Sequence, residues 1–90
     1  MRIASARDLG FFVRQSRQDS GRTQAELAAE AGVSRRWLSD LEAGKATAEF
    51  GLVLRTLHAL SIGLDASPIG PDAGDIDLDT LLDDLGGDHA

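Results

Sequence analysis

The chain has no cysteine among its 90 residues, which excludes disulfides and thiolate metal sites and suits a reducing intracellular compartment. No apolar run approaches the roughly 18 residues of a membrane span, and the start MRIASARDLG lacks the apolar core of a secretory signal. Together these absences predict a cytoplasmic protein with no membrane partner. Catalytic signatures are missing too: there is no Gly-rich phosphate loop and no nucleophile motif. The two histidines, His58 and His89, have neither the mutual spacing nor the neighbouring carboxylates of a metal site. His58 reads as a surface or interface residue of a helix. The acidic residues near the C-terminus lack the glycine placement of an EF-hand loop. With no constellation resembling an active site, the sequence predicts no enzyme, no cofactor and no bound metal.

Basic side chains are absent from one part of the chain. The net charge is −6, yet residues 1–60 hold all nine Lys and Arg against seven Asp and Glu, which is +2, while residues 61–90 hold eight Asp and no basic residue, which is −8. A mildly basic globule therefore carries an acidic tail. The basic part favours phosphate if its arginines gather on one face. The expected organisation is one folded domain over residues 1–66, followed by a linker and a partly disordered acidic tail over 67–90.

The central stretch is Thr23 to Gly44, TQAELAAEAGVSRRWLSDLEAG. Thr23 with Glu26 forms a capping box that starts a helix. Leu27, Ala28 and Ala31 give it a narrow apolar stripe, Gly32 permits a tight exit, and Val33 plugs the turn. Ser34 then caps a second helix, whose Leu38 and Leu41 face the core. Two helices around a glycine-containing turn outline a DNA-reading helix-turn-helix.

On either side of this stretch the helical period continues. Ser5 with Asp8 predicts a first helix from Ala6, carrying Leu9, Phe12, Val13 and Ser16 on one face and closed by Gly21. Thr47 is expected to cap a fourth helix, with Glu49 in its first turn and Phe50, Val53, Leu54 and Leu57 on its stripe up to Leu60. Phe11 and Leu52 fall off these stripes: Phe11 makes either an ordinary secondary packing contact, the favoured reading, or part of a subunit interface, and with Leu52 it is a candidate for a partner surface. Ile62, Gly63, Leu64 and Asp65 alternate as a short strand does. A lone strand has no ladder partner in a helical chain, so it is expected to pair with the same segment of a second subunit. Dimerisation also suits a helical core of about 60 residues, which is marginal alone. Residues 67–74, SPIGPDAG, form a linker. Ile76, Leu78, Leu81, Leu82 and Leu85 then make an acidic amphipathic stripe too short to stand alone in water. It either docks on a basic partner or folds back over the chain's own arginines.

With Leu38 and Leu41 inward, a wheel of about 100° per residue turns Arg36, Ser39 and Asp40 outward and leaves Arg35 and Trp37 on the flanks. Arg36 has the fork that matches O6 and N7 of guanine, and Ser39 can donate or accept. Asp40 follows Arg36 by four residues, so an intrahelical ion pair is favoured over contact with a cytosine amino group. Gln24, at the start of the preceding helix, is a phosphate contact, with Arg22 and Lys45 as flanking phosphate candidates. Trp37 is expected to be partly buried, with its ring against the sugar-phosphate backbone as the alternative.

The run TQAELAAEAGVSRRWLSDLEAGK resembles the helix-turn-helix of the phage-repressor-like (Cro/C1, or XRE) transcriptional regulators. Residues 5–65 as a whole, including LRTLHALSIGL, look like the HipB antitoxins of that group. The resemblance implies an all-α domain of four to five helices and a short C-terminal strand pairing across a homodimer. It further implies binding to palindromic operators, repression of its own operon, and a HipA-like Ser/Thr kinase toxin as partner. Carried over, Ser34, Arg35, Arg36 and Ser39 contact bases and Gln24 meets phosphate. The tail from Asp72 onward lies outside the matched region. A stand-alone repressor and a protein-interaction adaptor are the alternative readings.

Overall fold

Side-chain caps decide where three of the four helices begin among the described residues, 2–45 and 47–69 of the computed structural model. Helix α1 (Ala6–Asp19) starts where the Ser5 hydroxyl accepts from the Asp8 N–H at 3.1 Å and the Asp8 carboxylate accepts from the Ala4 N–H at 3.1 Å. Helix α2 (Gln24–Ala31) has the full capping box: the Glu26 N–H donates to the Thr23 hydroxyl at 3.1 Å and the Thr23 N–H donates to the Glu26 carboxylate at 2.8 Å. Helix α3 (Arg35–Glu42) is capped by Ser34, whose hydroxyl accepts from the Trp37 N–H at 3.0 Å. Helix α4 (Phe50–Ala59) differs. Its N-cap is Glu49, with no side-chain capping bond, so neither the expected Thr47 cap nor a Glu49 inside the first turn holds. Ala48, two residues before the first turn, packs against the core cluster.

All four helices end in the same way. The N–H of Arg22, Val33, Lys45 and Ile62 donates to the carbonyl five residues back, at Arg17, Ala28, Asp40 and Leu57, over 2.9 to 3.2 Å. The residue before each donor sits at positive φ: Gly21, Gly32, Gly44 and Ser61. These are Schellman closures, which satisfy carbonyls that a helix end would otherwise leave open. Three use glycine, and the fourth places Ser61 at φ 60°.

The core is one cluster of Val13, Leu27, Ala28, Leu38, Leu41, Val53 and Leu57, with Leu9, Phe12, Val33, Trp37 and Ile62 packed at its edge. Full burial of a Leu or Val contributes about 1.5–3 kcal/mol, so these side chains dominate the balance against chain entropy. Helix α1 packs on α3, and α2 packs on both α3 and α4. Gly10 allows the first of these contacts, because a Cβ there would sit 2.9 Å from the Glu42 carbonyl oxygen and closer still to that of Leu41.

Parts of the expected pattern shift. Phe50 and Leu54 are exposed, at 63% and 41%, and the buried face of α4 is Val53, Thr56 and Leu57. Thr56 tolerates burial because its hydroxyl donates to the Leu52 carbonyl at 2.8 Å. Val33 is half-buried rather than a sealed plug. Residues 62–69 carry no regular secondary structure. A single chain offers the 62–65 segment no second strand, and a ladder cannot form without one. The linker beyond Ile69, the amphipathic stripe and the rest of the acidic tail lie outside the described residues. No described helix is long and apolar enough to cross a membrane.

Candidate nucleic-acid interface

Helix α3 is short and strongly two-sided. Leu38 and Leu41 are buried, whereas Arg35, Arg36 and Ser39 on the opposite side are exposed. Ser34 opens the helix from an exposed position, with its oxygen engaged by the Trp37 N–H and its own hydroxyl proton still available to donate. Arg35 and Arg36 make no hydrogen bond or ion pair with any described residue. Two unpaired guanidiniums on the outer face of a second helix form the kind of surface that a major groove accepts.

The expected Arg36–Asp40 pair is not formed. Asp40 is half-buried and faces the Lys45 ammonium at 3.6 Å. The closure of α3 explains the choice, because the Lys45 N–H bonds the Asp40 carbonyl at 3.2 Å and so places the two side chains next to each other. Arg36 is thereby left without a partner among the described residues. Trp37 is half-buried against the core cluster, as a flanking position on the wheel predicts.

The residues expected at phosphate divide. Lys45 is exposed beyond α3. Arg22 is committed elsewhere: its guanidinium donates to the Ala59 carbonyl at 2.9 Å and pairs with Glu30 at 3.2 Å, clipping the α1–α2 turn to the C-terminus of α4. Gln24 is half-buried at the first position of α2, and its amide donates to the Glu42 carboxylate at 3.1 Å.

That contact leads to a network not visible as a motif. Arg17 forms a bidentate pair with Glu42 at 2.7 and 3.0 Å and also donates to the Arg22 carbonyl at 2.9 Å. The two side chains are only 12% and 4% exposed, and the hydrogen bond to Glu42 raises the Arg17 pKa above its already high ordinary value. α1, the start of α2 and the end of α3 are thus tied through one buried carboxylate. A sequence signal existed: Arg17 follows Val13, and Glu42 follows Leu38, by four residues, about 40° round the wheel from fully buried positions. A charge so placed needs a partner. Arg55 works similarly on the far side, donating to the carbonyls of Ala31 and Gly32 at 3.1 and 3.0 Å and closing the end of α2.

A second surface lies away from α3. Ile3, Leu9, Phe12, Phe50 and Val53 line a groove of about 950 Å³, together with the 62–67 segment and Ile69. It includes all four of the residues Ile62, Gly63, Leu64 and Asp65. Among the described residues, no group of three or more His, Cys, Asp or Glu side chains is placed to hold a metal ion.

Comparison with known proteins agrees with this geometry. The chain is 45% identical over 64 residues to an uncharacterized HTH-type transcriptional regulator, y4mF, of Sinorhizobium fredii, a match covering 71% of this chain and 84% of that protein. Among solved structures it superposes on a chain of a HipB-O4 20mer complex with a TM-score of 0.72 at 23% identity, covering 78% of this chain and 99% of the other. A chain of a HipA-HipB-O2-O3 complex matches with the same TM-score, identity and coverage. At that identity the likeness establishes a common fold alone, a small all-α bundle. The helix-turn-helix domain profile matches residues 8–66, and with the close relative it shows that this chain belongs to the helix-turn-helix domain family.

Proposed function

We propose that the protein is a sequence-specific DNA-binding antitoxin of the HipB type, which binds palindromic operators as a dimer, represses its own operon and neutralises a HipA-like Ser/Thr kinase toxin. The observation that carries the DNA half is the outer face of α3, where Arg35 and Arg36 stand exposed and unpaired among the described residues. Ser34, Arg35, Arg36 and Ser39 read base edges on this account. Asp40 sits at the rim of that face and influences it through Lys45. Gln24 and Lys45 meet phosphate, and Trp37 packs against the core cluster. Arg22 contributes by holding the α1–α2 turn in place. The toxin half draws on the fold shared with chains of the HipB-O4 and HipA-HipB-O2-O3 complexes.

Dimerisation belongs to the same proposal. Leu64 and Ile69 are 50% and 59% exposed in the single chain, at the rim of the apolar groove. A second copy that pairs its 62–65 segment there supplies the missing ladder partner and covers the exposed Phe50. Residues 1–66 then act as the DNA-binding and dimerisation unit, in the cytoplasm and on the nucleoid, with 67–90 as an appended acidic tail.

The test is binding of the full chain to its own promoter region across a salt series. Neutralisation of several phosphates makes the logarithm of affinity fall linearly with that of salt. A weak affinity with no salt dependence and no preference over unrelated DNA would instead favour a protein-interaction adaptor. Co-purification with the product of a neighbouring kinase-like gene separates the antitoxin from a stand-alone repressor.

A further inference from the structure

The Gln24 amide lies at the start of the helix-turn-helix, yet it is not free. It donates to Glu42 Oε1 at 3.1 Å, and Glu42 is the last residue of α3, 18 positions away. An ionised carboxylate only accepts, so the group turned toward it is the NH₂ and not the carbonyl oxygen. Glu42 is itself fixed: Arg17 grips both of its oxygens, and its side chain is 4% exposed. The bidentate charge pair leaves the carboxylate little freedom to turn.

We infer that Glu42 is a positioning residue for DNA binding, setting the orientation of the Gln24 amide so that one N–H is spent inside the protein and the second is presented in a fixed direction to a phosphate. Two physical consequences support this role. A locked amide has less rotational freedom to lose when the phosphate arrives, which improves affinity without any added contact. Arg17 neutralises the carboxylate, so an acidic group can lie next to a phosphate contact without repelling the backbone it serves. The relay also ties the phosphate contact on α2 to the end of the reading helix, holding the two at a constant separation.

This inference rests on the DNA-binding reading above, and its test separates the two. Affinity for the promoter fragment is measured for the wild type, Glu42→Gln, Gln24→Ala and the double variant, with thermal unfolding followed in parallel. Gln24→Ala should weaken binding about tenfold, the scale of one lost hydrogen bond to a charged group. Glu42→Gln should weaken it comparably in the wild-type background and hardly at all once Gln24 is Ala, while lowering the unfolding temperature in both backgrounds. A merely structural role for Glu42 gives equal losses of affinity in the two backgrounds, which overturns the inference and leaves the DNA reading intact. Absence of promoter binding by the wild type overturns both.

Should Glu42→Gln unfold the domain, nuclear magnetic resonance of the wild-type side-chain amide answers the same question. Slow solvent exchange of one Gln24 side-chain amide proton, with a high order parameter for that NH₂ group in the free protein, supports the locked geometry. Rapid exchange of both protons with a low order parameter overturns it.

Discussion

Residues that look alike in the sequence take opposite duties in the structure. Arg35 and Arg36 are exposed and without a partner among the described residues, whereas Arg17, Arg22 and Arg55 are spent on carboxylates and helix-end carbonyls. The wheel of α3 was enough to identify Arg36 as outward, because it needs only Leu38 and Leu41 as a reference. The partner of Asp40 was not legible, since Lys45 reaches it only after the chain has turned. Nor was the Arg17–Glu42 pair, which joins residues 25 positions apart and depends on α1 lying across α3. Its burial carries a stability prediction. Arg17→Ala leaves Glu42 as an uncompensated buried charge and should cost about 3–5 kcal/mol, read from the urea midpoint at unchanged m-value. Glu26 carries a pH prediction. The Thr23 backbone N–H, then its hydroxyl, hold the exposed Glu26 carboxyl below the ordinary Glu range. A depressed folded pKa means the capping contribution is complete above the unfolded value and is lost as pH falls through the folded one. The gap in unfolding temperature between the wild type and Glu26→Gln should therefore narrow as acid is added.

Among the helices, those that open on a hydrogen-bonding cap are legible in the sequence, and α4, which lacks one, is not. Ser5, Thr23 and Ser34 act on neighbours three residues away, which makes their helix starts local facts. Helix α4 begins at a Glu49 that makes no side-chain cap, so no such local bond marks its start. Its buried face is hidden in the sequence for a related reason: Thr56 takes a core position that its hydroxyl makes tolerable, leaving Phe50 and Leu54 on the outside. The shared helix ending yields a specific expectation. Gly21, Gly32 and Gly44 occupy the left-handed position at three ends, and Ser61 occupies it at the fourth. A residue with a Cβ is disfavoured there by about 1–2 kcal/mol. Ser61→Gly should thus raise stability by about 1 kcal/mol, or roughly 4–8 °C in Tm for a domain of this size. A lower Tm would mean that the serine makes an offsetting contact.

For the whole molecule, the lengthwise separation of charge and the helix-turn-helix were both apparent from residue order, while the groove was not. It is assembled from the N-terminal arm, α1, α4 and the 62–69 segment, which meet only in the folded chain. If it is the dimer surface, Leu64→Glu should shift the protein toward monomer in sedimentation at unchanged helicity and weaken operator binding in parallel, because half-sites bound singly lose the benefit of linkage. Unchanged dimerisation would move the subunit contact elsewhere. On the proposed function α3 reads DNA sequence through Arg36, and the decisive comparison is promoter affinity of the wild type against Arg36→Ala at fixed salt, on operator fragments substituted one base pair at a time. Loss of the guanidinium should cost about 1–3 kcal/mol, roughly 5- to 150-fold in affinity, and abolish discrimination at one position in each half-site. Equal affinity and equal discrimination by the two proteins would contradict the claim.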